Sequence, residues 1–240
     1  MPQAPVYEQI AATVRAQIDA GELKPHTPAP SERSLGDRFG VSRMTARAAI
    51  QALEEERYVY RNGRRGTFVS EPRLELPIGS FTVDVARTGH QPRAELLVAD
   101  KRTPSAPTRS ALRLGAREKV NYIKRLRFAG DEPIAIENTS IPQRLCPDLL
   151  DQDLRHSLWL LLEQCYGITV ARAEAVIQAA MPSPGEAQLL GTEPTTPLIL
   201  LDRTVVDATG RPIEFARDLY RSDRASFRVG AQLSLHRPVR

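Results

Sequence analysis

Pro30-Ser31-Glu32-Arg33-Ser34-Leu35, then Gly40-Val41-Ser42-Arg43-Met44-Thr45-Ala46-Arg47, then Arg61-Asn62-Gly63-Arg64-Arg65-Gly66-Thr67-Phe68-Val69, decide the fold of the first third of this chain. Ser31 can cap a short helix whose apolar positions, Leu35 and Phe39, are four apart, and Gly40 supplies the left-handed residue that stops it. Ser42 can cap a second helix. In that helix Ala46, Ala49, Ile50 and Leu53 form a stripe fit for burial, which leaves Arg43, Arg47 and Gln51 one turn apart on another face. Tyr58 to Arg61 and Thr67 to Val69 read as two strands joined by a loop around Asn62-Gly63 and Gly66. Upstream, Tyr7, Ile10, Ala11, Val14 and Ile18 recur at helical spacing and predict a helix from about residue 6 to about residue 20.

Two capped helices followed by a basic hairpin predict a winged helix-turn-helix, a device for reading duplex DNA. Arg43 and Arg47 lie near the start of a helix that fits a major groove. The free N–H groups and positive dipole end at that start favour phosphate oxygens before any side chain is counted. Arg61, Arg64 and Arg65 concentrate positive charge on the wing, and Gly66 permits a close backbone approach to a phosphate or minor-groove wall. Taken singly, a serine before an apolar run is usually only a cap, and exposed helix arginines are usually a solvated face. Their order and spacing together point to DNA.

These residues closely resemble the N-terminal domain of the GntR family of bacterial transcription regulators. Its signature is P-S-E-R-x-L, a glycine-ended turn, V-S-R-x-T-V-R on the recognition helix and a G-x-G-T-F-V wing. Ala46 stands where valine is usual, and Arg64-Arg65 precede Gly66 in a loop of variable composition. The resemblance covers about residues 5 to 70. It implies that Arg33, Arg43 and Arg47 contact phosphates and base edges, with Ser31, Glu32, Ser42 and Thr45 beside them. Gly66 and the wing residues Arg61, Arg64 and Arg65 would then reach the minor groove.

With 240 residues and 41% hydrophobic content, the chain can bury one or two ordinary cores. Its first residues carry no apolar signal region, and no run of 18 uncharged apolar residues occurs, so the expectation is a cytoplasmic protein with no membrane segment. Cys146 and Cys165 are too few and too far apart for a zinc framework, and neither a metal nor a cofactor is expected. The net charge of +4 is modest, so clustering on the recognition helix and wing matters more than the total.

Ser70 to Pro77 lacks periodicity and carries two prolines. The expected domains are therefore residues 1–70, a linker at 71–77, and a second domain at 78–240. In the second domain, Glu95 to Lys101, Lys119 to Phe128, Pro133 to Ile141, Val170 to Ala179, Leu198 to Val206 and Ile213 to Tyr220 carry strand patterns. Gly130-Asp131 and Ala208-Thr209-Gly210 read as hairpin turns within two similar strand, turn, Pro-Ile, strand segments. Helices start at Ser157 and Ser183. Long antiparallel strands with helices laid on one face make an α+β domain.

This order resembles the effector domain of HutC-type GntR regulators, the UTRA domain, whose fold is like that of chorismate lyase. The carrying residues are Ser80-Phe81-Thr82, Arg125-Leu126-Arg127, Glu132-Pro133-Ile134, Ser157-Leu158-Trp159 and Pro212-Ile213-Glu214 through Tyr220-Arg221-Ser222-Asp223-Arg224. In relatives that bind phosphorylated amino sugars, the positions matching Phe81, Thr82, Arg125, Arg127, Glu137, Ser157, Trp159, Glu214 and Tyr220 line the ligand site. Trp159 stands where tyrosine is usual, and Thr82 where serine is usual.

Read as residues alone, Arg125 and Arg127 are two apart on a strand, so they share a face and could clamp a phosphate or carboxylate. The bland alternative is a surface pair with salt-bridge partners. Trp159 within Leu158 to Leu162 suits core packing as well as ligand contact, Glu214 suits a hairpin surface and Tyr220 a core. The leading reading is a DNA-binding regulator, a repressor in most relatives, that binds a palindromic operator as a homodimer and responds to a small anionic effector such as a phosphorylated sugar or a carboxylate. Two alternatives compete with it. One is an effector-independent repressor of a mobile element; the other is an enzyme with a chorismate-lyase-like pocket. No nucleophile and base are evident among the pocket residues, which favours a protein that is not an enzyme.

Overall fold

The computed structural model describes residues 4–71 and 73–229. Residues 1–3, Pro72 and residues 230–240, parts of the expected domains and linker, lie outside them. The chain divides into two compact units, Met1–Arg73 and Leu74–Arg240.

The first unit holds helices α1 (Val6–Asp19), α2 (Glu32–Phe39) and α3 (Arg43–Glu55), then strands β1 (Val59–Arg61) and β2 (Thr67–Val69). The Ser31 hydroxyl accepts from Ser34 N–H and starts α2, and Gly40 ends it at φ 63°. Ser42 does the same for α3 through Thr45 N–H. Ile10, Val14 and Ile18 of α1, Leu35 of α2 and Ala46, Ala49, Ile50 and Leu53 of α3 close one core with Val59 and Val69. β1 and β2 pair antiparallel. The segment after α1 lies along the far edge of β2: His26 N–H donates to Val69 O and Ala29 N–H to Thr67 O, both at 2.9 Å.

The second unit is built on a six-stranded antiparallel sheet. Its strands are β4 (Pro92–Arg102), β5 (Val120–Ala129), β6 (Glu132–Pro142), β7 (Val170–Ala180), β8 (Leu198–Asp207) and β9 (Pro212–Arg221), in the order β4-β5-β6-β9-β8-β7. The two similar hairpin segments join β5 to β6 and β8 to β9. Each turns on a left-handed glycine, Gly130 at φ 61° and Gly210 at φ 78°, with a register shift beside it. Helices α4 (Phe81–Arg87), α5 (Ala106–Ala111), α6 (Leu158–Tyr166) and α7 (Pro184–Leu190) complete the unit.

Two expectations are corrected here. The linker at 71–77 is not structureless throughout: Leu74–Leu76 form a strand, β3, that pairs in parallel with β10 (Ala225–Phe227). Leu74 and Leu76 are buried with Ala225, and this burial supplies a reason for order that local sequence lacks. The helices also do not keep to one face. Strand alternation separates Ile123, Arg125 and Arg127 from Leu126 and Phe128 on β5. Helix α6 packs over the first set through Leu158 and Leu162 with Ile123 and Val205. Helix α7 packs over the second through Leu190 with Leu126, Phe128 and Ile136.

Candidate functional site

In the first unit, the nominated DNA-facing residues gather around the start of α3 and on the wing. Arg33, Arg43 and Arg47 are exposed, and Glu32 sits between the last two: Arg43 Nε donates to Glu32 Oε2 at 2.9 Å, and Arg47 Nε lies 4.0 Å from Glu32 Oε1. The Arg43 hydrogen bond holds the Glu32 carboxyl below its ordinary range. Glu32 thus anchors the Arg43 guanidinium and lies at ion-pair distance from that of Arg47. Ser42 and Thr45 join hydroxyls at 3.0 Å beside them. On the wing, Arg61 Nε donates to Glu54 Oε2 at 2.9 Å, Arg65 is exposed, and Gly66 has a φ of 106° with open space where a Cβ would stand. The Arg64 side chain lies outside the described residues. Sequence reasoning passed over Met44, which is 72% exposed in the first turn of α3 and offers an apolar surface suited to a thymine methyl.

In the second unit, one small cavity is lined by eight of the nine nominated residues: Phe81, Thr82, Arg125, Arg127, Glu137, Ser157, Trp159 and Glu214. Tyr220 is not among its lining. It is buried beneath, its ring 6.4 Å from that of Phe81 and 4.8 Å, edge to face, from that of Phe227. Arg125 and Arg127 are no surface pair, at 1% and 2% exposure. Arg125 Nε donates to Glu137 Oε2 at 2.6 Å, and its Nη1 donates to the carbonyls of Leu154 and His156 at 2.8 and 2.7 Å. Arg127 Nη1 donates to the same carboxylate at 3.1 Å, its Nη2 to Thr82 Oγ1 at 2.9 Å, and its guanidinium lies over the Phe81 ring at 4.4 Å.

Two members of this cluster escaped the sequence reading. Arg203 on β8 donates from Nη2 to Glu214 Oε1 at 3.1 Å and from Nη1 to Gly79 O at 2.7 Å. Asp218 on β9 is fully buried, with one carboxylate oxygen 3.8 Å from Arg203. Each interrupts an apolar stripe at strand spacing, Leu201-Arg203-Val205 and Ala216-Asp218-Tyr220, and that alternation was the available signal. Asp218 also bridges a break in the β6–β9 ladder, where Oδ1 accepts Asn138 N–H at 3.1 Å.

Burial would push the Glu137 carboxyl upward, yet the guanidiniums of Arg125, Arg127 and Arg203 hold it down to about 2. Asp218 lacks a comparable partner. Burial, with Glu137 and Glu214 nearby, pushes it up to about 8 against the pull of Arg203. Asp218 is thereby protonated at neutral pH, beside the ion pairs that Arg125 and Arg127 form with Glu137 and Arg203 forms with Glu214. The serine caps of α4 and α6 meet above it, Ser80 Oγ 3.4 Å from Ser157 Oγ. A recess lined by three arginine side chains favours an anion. Among the described residues, no group of three or more His, Cys, Asp or Glu could hold a metal, and no helix is long and apolar enough to cross a membrane.

Comparison with known proteins places both units. Residues 6–69 match the family of bacterial regulatory proteins, gntR family, and residues 87–226 match the UTRA domain. The chain is a transcription regulator of the GntR family, of the HutC type. The likeness to relatives extends along most of the chain. The HTH-type transcriptional repressor NagR of Bacillus subtilis is 34% identical over 226 residues, 93% of each chain. The mannosyl-D-glycerate transport/metabolism system repressor MngR of Escherichia coli is 30% identical over 97% of this chain and 98% of its own. The crystal structure of PhnF from Mycobacterium smegmatis superposes with a TM-score of 0.72 at 29% identity, over 92% of this chain and 100% of that one. These likenesses account for a winged helix-turn-helix followed by an antiparallel α+β effector domain.

Proposed function

We propose that this GntR-family regulator is a repressor that binds a palindromic operator as a homodimer and is released by a small anionic effector held in the Arg125–Arg127–Arg203 recess. The observation that carries it is the convergence of three buried guanidiniums beneath the caps of two helices, in a chain whose other unit presents an arginine-fringed recognition helix. On this reading Arg43 and Arg47 read bases, Arg33 and the wing residues Arg61, Arg64, Arg65 and Gly66 follow the backbone, and Ser31, Glu32, Ser42 and Thr45 position them. The nine nominated effector residues serve one site, with Tyr220 as its floor. The protein works in the cytoplasm without a cofactor. The pocket binds its ligand and does not transform it, since its carboxylates are committed to guanidiniums rather than poised beside a nucleophile. Family names support the assignment: NagR, MngR and the histidine utilization repressor of Pseudomonas putida, 28% identical, are named repressors.

A second reading, a repressor that needs no effector, is favoured by the cavity's free space of ≈ 20 Å³, room for about one water molecule. A thermal melt against anionic metabolites separates the two. A ligand at 100 times its dissociation constant adds roughly 2.7 kcal/mol to the unit that holds it. A shift in melting temperature together with loss of a promoter-fragment complex supports the effector reading; operator binding with no shift from any anion supports the second.

A further inference from the structure

Resting on the effector reading above, we propose that the ligand is a compact, hydroxyl-poor molecule with two anionic groups, one held by Arg127 and the other by Arg203, and that Trp159 and Arg203 together close Glu214 to sugar hydroxyls. The guanidiniums arrive from opposite sides. Arg125 and Arg127 rise from β5 and Arg203 from β8, with β6 and β9 between them, a backbone separation of about 14 Å. Their long side chains converge on one recess, so a ligand touching both ends needs an acceptor group at each. Donors are also left over: the Nε–H groups of Arg127 and Arg203 are buried and have no hydrogen-bond partner. Unspent charged donors in a buried site are costly unless a ligand or water takes them up.

Glu214, by contrast, is engaged on both oxygens and covered. Trp159 Nε1 donates to its Oε2 at 2.8 Å, Arg203 Nη2 donates to its Oε1 at 3.1 Å, and the residue is 1% exposed. The indole is bonded to Oε2 and the carboxylate is buried, so a sugar hydroxyl reaches Glu214 only if Trp159 moves. A carboxylate or phosphate at Arg203 would instead supply the acceptor that its Nε–H lacks. The small free space also excludes a hexose ring unless the indole moves, whereas a short dianion needs less displacement.

Calorimetric titration of the full-length protein with phosphoglycolate, inorganic phosphate and glucose 6-phosphate tests this. Phosphoglycolate should bind at least tenfold more tightly than either of the others. Arg203→Met should bring phosphoglycolate to within threefold of inorganic phosphate, and Arg203→Lys, which keeps the charge and covers the case in which the Met variant fails to fold, should give an intermediate ratio. Trp159→Phe should raise the relative affinity for glucose 6-phosphate at least fivefold. If glucose 6-phosphate binds as tightly as phosphoglycolate to the parent, the dianion assignment is overturned while the anionic effector site stands. If none of the three binds or raises the melting temperature, both readings fall.

Discussion

At the scale of single residues, Arg125 and Arg127 carry different burdens although they share a strand face. Arg125 spends its donors on Glu137 and on two carbonyls that precede α6, so it holds a loop as well as a charge. Arg125→Ala should cost about 3–5 kcal/mol of stability by leaving Glu137 partly uncompensated, read as a lower denaturation midpoint. Arg127 keeps one donor unspent and anchors only Thr82 and Glu137, which makes Arg127→Ala the cleaner probe: operator binding should persist while release by an anion is lost. The cluster also fixes a pH profile. Asp218 is raised in the fold, so the native state binds more protons than the unfolded chain from about pH 4 to about pH 8, and its stabilisation declines as pH rises through that window. Glu137 is depressed, so its contribution is complete above its unfolded value and disappears as pH falls toward about 2. Asp218→Asn, which can still accept Asn138 N–H, should flatten the decline between pH 5 and pH 8. Equal slopes in parent and variant thermal midpoints would discard the assignment.

At the scale of elements, what could be read depended on whether a local cause exists. Helices α2, α3, α6 and α7 each begin at a serine whose hydroxyl takes a backbone N–H, and α2, α6 and α7 end at a left-handed glycine, so short-range chemistry marks their ends. The six long strands announce themselves by alternation. Helix α4 does not: it has seven residues, β-branched Thr82, Val83 and Val85 disguise it, and Ser80 makes no capping bond. Strand β3 has three residues and a partner that lies far along the chain, so no local pattern could show it. Arg203 and Asp218 do leave a local mark, a charge in an apolar stripe, but it gains meaning as part of the site only when the neighbouring strands are known. Two tests belong here. Ser42→Ala should loosen the start of the recognition helix by about 1 kcal/mol and weaken operator binding without altering anion binding. Phe227→Ala removes the edge-to-face contact with Tyr220 beneath the pocket, and should speed hydrogen exchange at Leu74–Leu76 by opening the β3–β10 pair.

At the scale of the whole molecule, the described residues form separate cores: one draws on residues 10 to 69, and the others lie within residues 74 to 227. Units with their own cores can unfold separately, and a ligand stabilises the unit that holds it by mass action. Calorimetric melting should accordingly resolve two transitions. An operator fragment should raise the one belonging to residues 4–71, and phosphoglycolate the one belonging to the sheet domain. Salt adds a second discriminator. Arg33, Arg43, Arg47 and Arg65 are exposed on the first unit and would release counterions from DNA, so operator affinity should fall steeply as salt rises. Arg125, Arg127 and Arg203 are buried and screened far less, so anion affinity should fall much more gently over the same range. Reversing the two salt slopes would mean that the surface arginines do not carry the DNA contacts and that the buried ones do not form the anion site. A single transition raised equally by both ligands would mean that the two units share their stability, and the assignment of operator affinity to one and effector affinity to the other would fail.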